Sequence, residues 1–310
     1  MVIPHLKGTK TFDEIAINDV VDYIDWVFFF HAWGLPGRYR GLEGFCDCAA
    51  CRQNFMVLNR HVPEDKRKEV LNLYTDAANM LKRIKQDALL SISAKIMFVS
   101  AKSADEGLYL QGEQGGVYLP LLRQQHIGEK NKMCLSIADF VSPYDDYVGL
   151  FALCVKGADA LSLSFGNKGD DYNALLIKSL ADRLAEATAE WLHLQVRKVY
   201  WGYSPDENFS PHELFKVPYV GIRPAIGYPS LPDQSLIFRV NSLLNVEEIG
   251  IQITENGAMR PNASICGMYI SHPQSSYFMV GKIGEDQLAD YAKRCGVSVD
   301  EVKKWLTHNL

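Results

Sequence analysis

The chain has 310 residues, 47% of them hydrophobic, and a formal charge of −5. That length carries one large domain or two with a sizeable core, and the mild acidity with no dominant basic stripe argues against a nucleic-acid protein. No apolar run reaches the length of a membrane span and the N-terminus has no long apolar signal region; seven scattered cysteines fit reduced thiols, so a cytoplasmic protein is expected.

The first expected element is a helix through Ile24 with Asn18 as its N-cap. Asp25-Trp26 and an aromatic cluster follow, ending in the turn-forming Gly34-Leu35-Pro36-Gly37. A carboxylate beside large apolar residues either caps a turn or is a buried acid awaiting a cation, and from the residues alone capping is the reading for Asp25. Cys46-x-Cys48-x-x-Cys51 has metal-like spacing. A closed zinc site needs a fourth ligand, which His31 or His61 could supply; free or redox-active thiols are the alternative.

Apolar residues at three- and four-residue spacing predict a helix over 64–90, behind Pro63. Residues 95–100 and 116–120 read as strands in a hairpin-like antiparallel pair, with a turn-rich 103–107 and a loop over 111–115. Two more strands are expected over 134–141 and 148–155. The longest helix starts near Asp170 or Asp171 and runs towards Val199. Its apolar stripe is Tyr172, Leu176, Leu180, Leu184, Ala187, Trp191 and Leu194, which leaves Asp182, Arg183, Glu186, Glu190 and His193 off the stripe. By this pattern Glu186 is a solvated face residue.

Ser210-Pro211-His212-Glu213 is a capping-box start of a short helix. A helix over 233–244, a loop over 255–261 and a strand over 264–270 come next; Gly267 marks where a backbone or ligand comes close. Residues 277–283 read as the returning strand of a hairpin, and two short helices, 284–294 and 298–308, close the chain. Strands and helices mix without regular alternation, which predicts an α+β fold: a mainly antiparallel central sheet flanked by helices.

Gly221-Ile222-Arg223-Pro224-Ala225-Ile226-Gly227-Tyr228-Pro229-Ser230 stands apart. Two prolines fix φ, remove two donors and push Arg223 and Tyr228 to extended geometry. A stiff loop with exposed backbone groups, one guanidinium and one aromatic ring suits a flat anionic ligand, Arg223 forking onto a carboxylate. From composition alone an ordinary Pro/Gly connector with a solvated Arg is the leading reading.

Several separated segments resemble one family. Arg223-Pro224-Ala225-Ile226-Gly227-Tyr228-Pro229 resembles the Arg-x-x-x-Gly-Tyr loop of the S-adenosylmethionine-binding activation domain of cobalamin-dependent methionine synthase. Ala258–Ser264 and Gly267–Pro273 are similar to that family's C-terminal hairpin. Asp171-Tyr172-Asn173, with Ala181–Ala187, resembles its long helix, followed by Val199-Tyr200-Trp201-Gly202-Tyr203. Asp286–Ala292 matches near the end. The resemblance is strong over 133–310 and less typical over 1–132, which carries the Cys-rich insertion; together they make a single activation domain, 1–310.

The resemblance implies the reactivation module of a methyltransferase, 5-methyltetrahydrofolate–homocysteine methyltransferase, with no catalytic residue of its own and unable to complete the full reaction alone. It implies binding of S-adenosylmethionine and delivery of its methyl group to cobalamin held by a partner domain or chain, with a flavodoxin-like or other one-electron donor. Arg223 would hold the ligand's carboxylate and the backbone around Ala225 and Gly227 its adenine, beside Tyr228. Asp25 and Glu186 would stand near the ammonium and sulfonium charges, and Tyr277 with Phe278 would line the site. The chain departs from the family at Val27-Phe28, where Thr-Pro is usual, and at Phe278, where a tyrosine also occurs; Cys46, Cys48 and Cys51 lie outside the motif. No Asp-x-His-x-x-Gly cobalamin-binding motif is present. A free-standing activator is therefore expected, favoured over a piece of a longer synthase by the start at Met1. The other readings are a stand-alone S-adenosylmethionine-binding or regulatory protein without a cobalamin partner, and a metal or redox protein built on the cysteines.

Overall fold

A computed structural model describes residues 2–112, 115–127 and 133–310. In chain order the elements are β1 (Gly8–Phe12), α1 (Ile17–Val20), α2 (Trp26–Ala32), α3 (Ala49–Leu58), α4 (Glu64–Gln86), β2 (Ser91–Ala104), β3 (Gly107–Gly112), β4 (Gly115–Pro120) and β5 (Asp146–Lys156). There follow α5 (Ala158–Gly166), α6 (Asp171–Gln195), α7 (Pro211–Leu214), α8 (Leu236–Leu244), β6 (Gln252–Ile253), β7 (Met259–Arg260), β8 (Ser264–Tyr269), α9 (Glu285–Cys295) and α10 (Val299–Trp305). The expected α+β class holds. The elements fall into two compact units. One comprises Met1–Ile15, Ser93–Cys154 and Ala189–Leu310; the other comprises Ala16–Ile92 and Val155–Thr188.

The first unit contains the central sheet, in the order β4-β3-β2-β5-β8, with β1 also on β2. β1 with β2, β2 with β3, β3 with β4 and β5 with β8 are all antiparallel. β5 is buried from Val148 to Val155, which explains its unbroken apolar run. Leu108, Leu110, Leu150 and Met268 from the sheet pack with Ile237, Val240 and Leu244 of α8 and with Leu288, Tyr291 and Val302 of the last two helices.

Three expectations for this unit are corrected. The pair expected between 95–100 and 116–120 has a third strand, β3, between them, so β4 pairs with β3; Glu113 and Gln114, inside the expected loop, lie outside the described residues. The strand expected over 134–141 is a 3-10 turn, Ile137–Phe140. Its start is fixed by a capping box between Ser136 and Asp139, and local side-chain bonds of this kind outcompete strand propensity. Residues 277–283 do not return as a strand on β8, because that edge is already occupied. Ile222 and Ile270 exchange N–H···O bonds of 2.9 Å, Ile226 N donates to Cys266 O at 2.9 Å, and Met268 N donates to Pro224 O at 3.0 Å. The 277–283 segment instead leans on the end of the same loop, where Val280 N donates to Pro229 O at 2.9 Å.

The second unit is helical. α4 buries Val70, Leu71, Ala77, Met80, Leu81 and Ile84 on one side, as its periodicity predicts. The Trp26 ring meets Tyr74 at 4.8 Å and Phe29 at 5.3 Å, both edge-on. α2, α3 and α5 were not foreseen. Asp25 starts α2 as its N-cap, Oδ1 accepting from Val27 N at 3.0 Å. Asn18 caps nothing: α1 begins at Ile17 with Ala16 at the cap.

Candidate functional site

The 221–230 loop is extended, as its prolines dictate, but its backbone is not exposed throughout. Ile222, Pro224 and Ile226 spend their polar groups on β8. Pro224 sits where only a carbonyl is required, so its missing N–H costs nothing. Backbone groups alternate in direction along an extended chain, so those of Arg223 and Ala225 face away from β8. The Ala225 carbonyl closes a turn onto Tyr228 N at 3.2 Å. Gly227 holds that turn at φ +85°, and a Cβ there would meet Gln234 Oε1 at 2.2 Å. The close approach expected at Gly267 is this loop: a Cβ on Gly267 would lie 2.4 Å from Pro224 O.

Arg223 is half-buried and committed. Its Nη2 donates to Glu190 Oε2 at 2.7 Å, its Nε to Ala189 O at 3.3 Å, and its backbone N–H to the Tyr277 hydroxyl at 2.9 Å. Tyr277 is exposed along with Tyr228, whereas Phe278 is buried against Phe140 in the core. Neighbouring residues of an extended segment face opposite ways, so the Phe278 ring does not stand beside that of Tyr277.

Behind Arg223 lies a polar layer that the helical periodicity did not reveal. Glu190 and His193, placed off the apolar stripe of α6, are buried, as is Arg197 in the π-helical turn Val196–Tyr200 that ends the helix. His193 stacks on Tyr269 at 5.2 Å, meets Tyr219 edge-on at 5.1 Å and has Tyr203 Oη 3.4 Å from Nε2. Burial holds its pKa well below the ordinary imidazole value, with Arg197 and Arg223 adding to the effect. Arg197 is fully buried in a bidentate pair with Glu207, two bonds of 2.7 Å, and lies over the Tyr219 ring at 3.8 Å. Among the described residues nothing bonds to Glu190 Oε1, His193 Nδ1, Arg197 Nη1 or Tyr269 Oη. The available signal was Glu190, His193 and Arg197 at i, i+3 and i+7, a polar stripe followed by Tyr200-Trp201-Gly202-Tyr203.

The sequence-predicted site residues divide between the units. Arg223, Ala225, Gly227, Tyr228, Tyr277 and Phe278 belong to the sheet unit, Asp25 and Glu186 to the helical one; the division cuts α6 between Thr188 and Ala189. Within the sheet unit Arg223 and Tyr277 are brought into contact. In the helical unit Asp25 is a cap, and Glu186 is half-buried rather than solvated.

The three cysteine sulfurs at 46, 48 and 51 lie within 4.8 Å of one another, and among the described residues neither His31 nor His61 joins them. The Cys51 N–H donates to Cys48 Sγ, and that bond is the main cause that holds the Cys48 thiol down at about 7. Among the described residues, no helix is long and apolar enough to cross a membrane.

A family model described as "Vitamin B12 dependent methionine synthase, activation domain" matches residues 16–296. Among solved structures, the crystal structure of the MetH reactivation domain bound to AdoHcy is similar, with a TM-score of 0.86 and 37% sequence identity over 99% of this chain and 92% of that chain.

Proposed function

The chain belongs to the vitamin B12 dependent methionine synthase activation-domain family, and on that premise we propose that it binds S-adenosylmethionine and presents its methyl group to cobalamin during reductive reactivation. The observation that carries this is the likeness, over nearly the whole chain, to a reactivation domain bound to AdoHcy. AdoHcy is what S-adenosylmethionine becomes once the methyl group has left.

The chain's part is binding and orientation. Arg223 holds the ligand's carboxylate: a guanidinium carries five N–H donors, and the bonds to Glu190 and Ala189 fix its plane. The outward-facing backbone around Ala225 takes the adenine edge, with the Gly227 turn and the Tyr228 ring beside it. The Tyr277 hydroxyl, on the Arg223 backbone, lines the same place.

A cobalamin held by a partner domain or chain, once reduced with one electron from a flavodoxin-like or other donor, would accept the methyl group, the carbon–sulfur electron pair staying on sulfur. This chain's residues would hold the nucleoside and orient its methyl group, a positioning task that requires no acid or base from them.

Calorimetry with S-adenosylmethionine and AdoHcy tests binding. Incubation with a cob(II)alamin-loaded synthase partner and a one-electron reductant tests transfer, read as the methylcobalamin spectrum and as AdoHcy released. Failure to bind either nucleoside overturns the reading. Binding without transfer leaves a stand-alone S-adenosylmethionine-binding or regulatory protein.

A further inference from the structure

We propose that Cys46, Cys48 and Cys51 bind one zinc ion as a three-thiolate site whose fourth position is open to solvent. The inference is independent of the S-adenosylmethionine reading, which uses none of these residues.

Geometry carries it. All three sulfurs lie within 4.8 Å of one another, and Cys46 Sγ is 3.4 Å from Cys51 Sγ. Zinc–sulfur bonds of about 2.3 Å in a tetrahedron put two thiolates about 3.8 Å apart. The sulfurs therefore already stand close to the spacing that one ion demands. A disulfide needs about 2.05 Å between sulfurs, well inside the observed separation. An iron–sulfur cluster spreads its cysteines over several irons and fits a group this tight less well than a single ion does.

The backbone builds this convergence without help from an ion. Asp47, between the first two cysteines, has φ +61°, the left-handed conformation that folds the chain back at that point. Cys48 is the N-cap of the ten-residue α3 and Cys51 sits in its first turn, donating its N–H to Cys48 Sγ at 3.5 Å. A helix N-terminus stabilises the negative charge that thiolates bring. The loop is anchored from several sides. Asp47 pairs with Arg52 at 2.6 Å and accepts from Thr75 Oγ1 at 3.5 Å, and the Tyr74 hydroxyl donates to Leu42 O at 3.0 Å.

Cys46 and Cys48 are exposed and Cys51 is half-buried. Among the described residues no histidine or carboxylate completes the group. Water supplies the fourth ligand, as it does where zinc keeps an open position. Protons compete with the metal for the three sulfurs, so uptake weakens as pH falls.

The test uses the full chain, reduced with a phosphine and desalted under nitrogen. Zinc is titrated against a chromophoric chelator. One equivalent per chain is expected to resist the chelator, and Cys46→Ser, Cys48→Ser and Cys51→Ser are each expected to weaken it at least 100-fold, whereas Cys134→Ser leaves it unchanged. Cobalt substitution is expected to give a thiolate-to-metal charge-transfer band and tetrahedral d–d intensity. Retention of less than a tenth of an equivalent overturns the proposal, as does equal retention by the triple serine variant, which would mark an adventitious ion only. A second readout on the wild-type chain does not depend on variant folding: zinc must slow alkylation of all three cysteines, mapped by mass spectrometry, and absence of protection overturns the site.

Discussion

Nη2 of Arg223 and Oε2 of Glu190 lie 2.7 Å apart, an ion pair in which the side chains are 19% and 8% exposed. It ties a Pro/Gly loop to the longest helix and sets the direction of the one cation that the loop offers. Removing one partner of a buried pair strands the other, so the two residues have separable consequences.

Arg223→Ala is expected to lower S-adenosylmethionine affinity about 10- to 100-fold, the worth of about 1.5–3 kcal/mol for hydrogen bonds to a charged group. Arg223→Lys should recover little, since an ammonium cannot hold the forked geometry. Titration calorimetry decides; unchanged affinity in the alanine variant removes Arg223 from the site.

Glu190→Gln keeps shape and one acceptor but removes the charge. It is expected to cost about 1–3 kcal/mol in urea unfolding and to weaken the ligand less than Arg223→Ala does. The comparison matters because Glu190 acts through Arg223. A variant with full stability and full affinity would show that the pair positions nothing.

Tyr277→Phe deletes the hydroxyl that accepts from Arg223 N at 2.9 Å. A loss of about 1 kcal/mol in loop stability is expected, read as faster deuterium exchange at the Arg223 amide. Identical exchange in both proteins contradicts the bond.

Gly267→Ala drives a Cβ to within 2.4 Å of Pro224 O and 2.8 Å of Ala225 Cα, both backbone atoms that no rotamer change can move. Destabilisation of about 3 kcal/mol is expected, with the 222–226 segment displaced from β8 and nucleoside affinity falling with it. Thermal unfolding and calorimetry on the same sample read both effects.

His193 sets a pH dependence. Its folded-state pKa lies well below 6.5, held down first by burial and then by Arg197 and Arg223; Tyr203, Tyr219 and Tyr269 contact its ring. Above pH 6.5 both folded and unfolded imidazoles are neutral and the residue adds no slope. Below that value the unfolded chain binds a proton that the folded chain refuses. Stability therefore falls with pH, by about 1.4 kcal/mol per unit, down towards the folded pKa. Urea midpoints between pH 5 and 7 should show a shallower slope in His193→Gln than in the wild type; equal slopes would contradict a buried neutral imidazole.

Much of the architecture was legible in the residues. The Ser210 capping box, the periodicity behind α4, the apolar run of β5 and the stiffness of the 221–230 loop each rest on interactions between near neighbours, which sequence spacing records directly. The same holds for the family likeness, since its motifs are local strings. What failed depended on partners far along the chain. Residues 277–283 have strand-like composition, but the edge of β8 had been taken by residues some 40 positions upstream.

For the candidate site the division is similar. The sequence alone determined that Arg223 sits on a stiff, extended, Gly-punctuated loop, because proline geometry dictates it. The spacing of Cys46, Cys48 and Cys51 left a metal site and free thiols both open; the left-handed Asp47 and the start of α3 bring the sulfurs within 4.8 Å of one another. Only the tertiary structure decided that Glu190, His193 and Arg197 are inside. On a helix wheel they fall on the polar side and look solvated, yet Arg223, Glu207 and a ring of tyrosines cover that side. Each of those partners lies distant in sequence from the helix or beyond its end, and burial of a charge depends on who arrives to meet it.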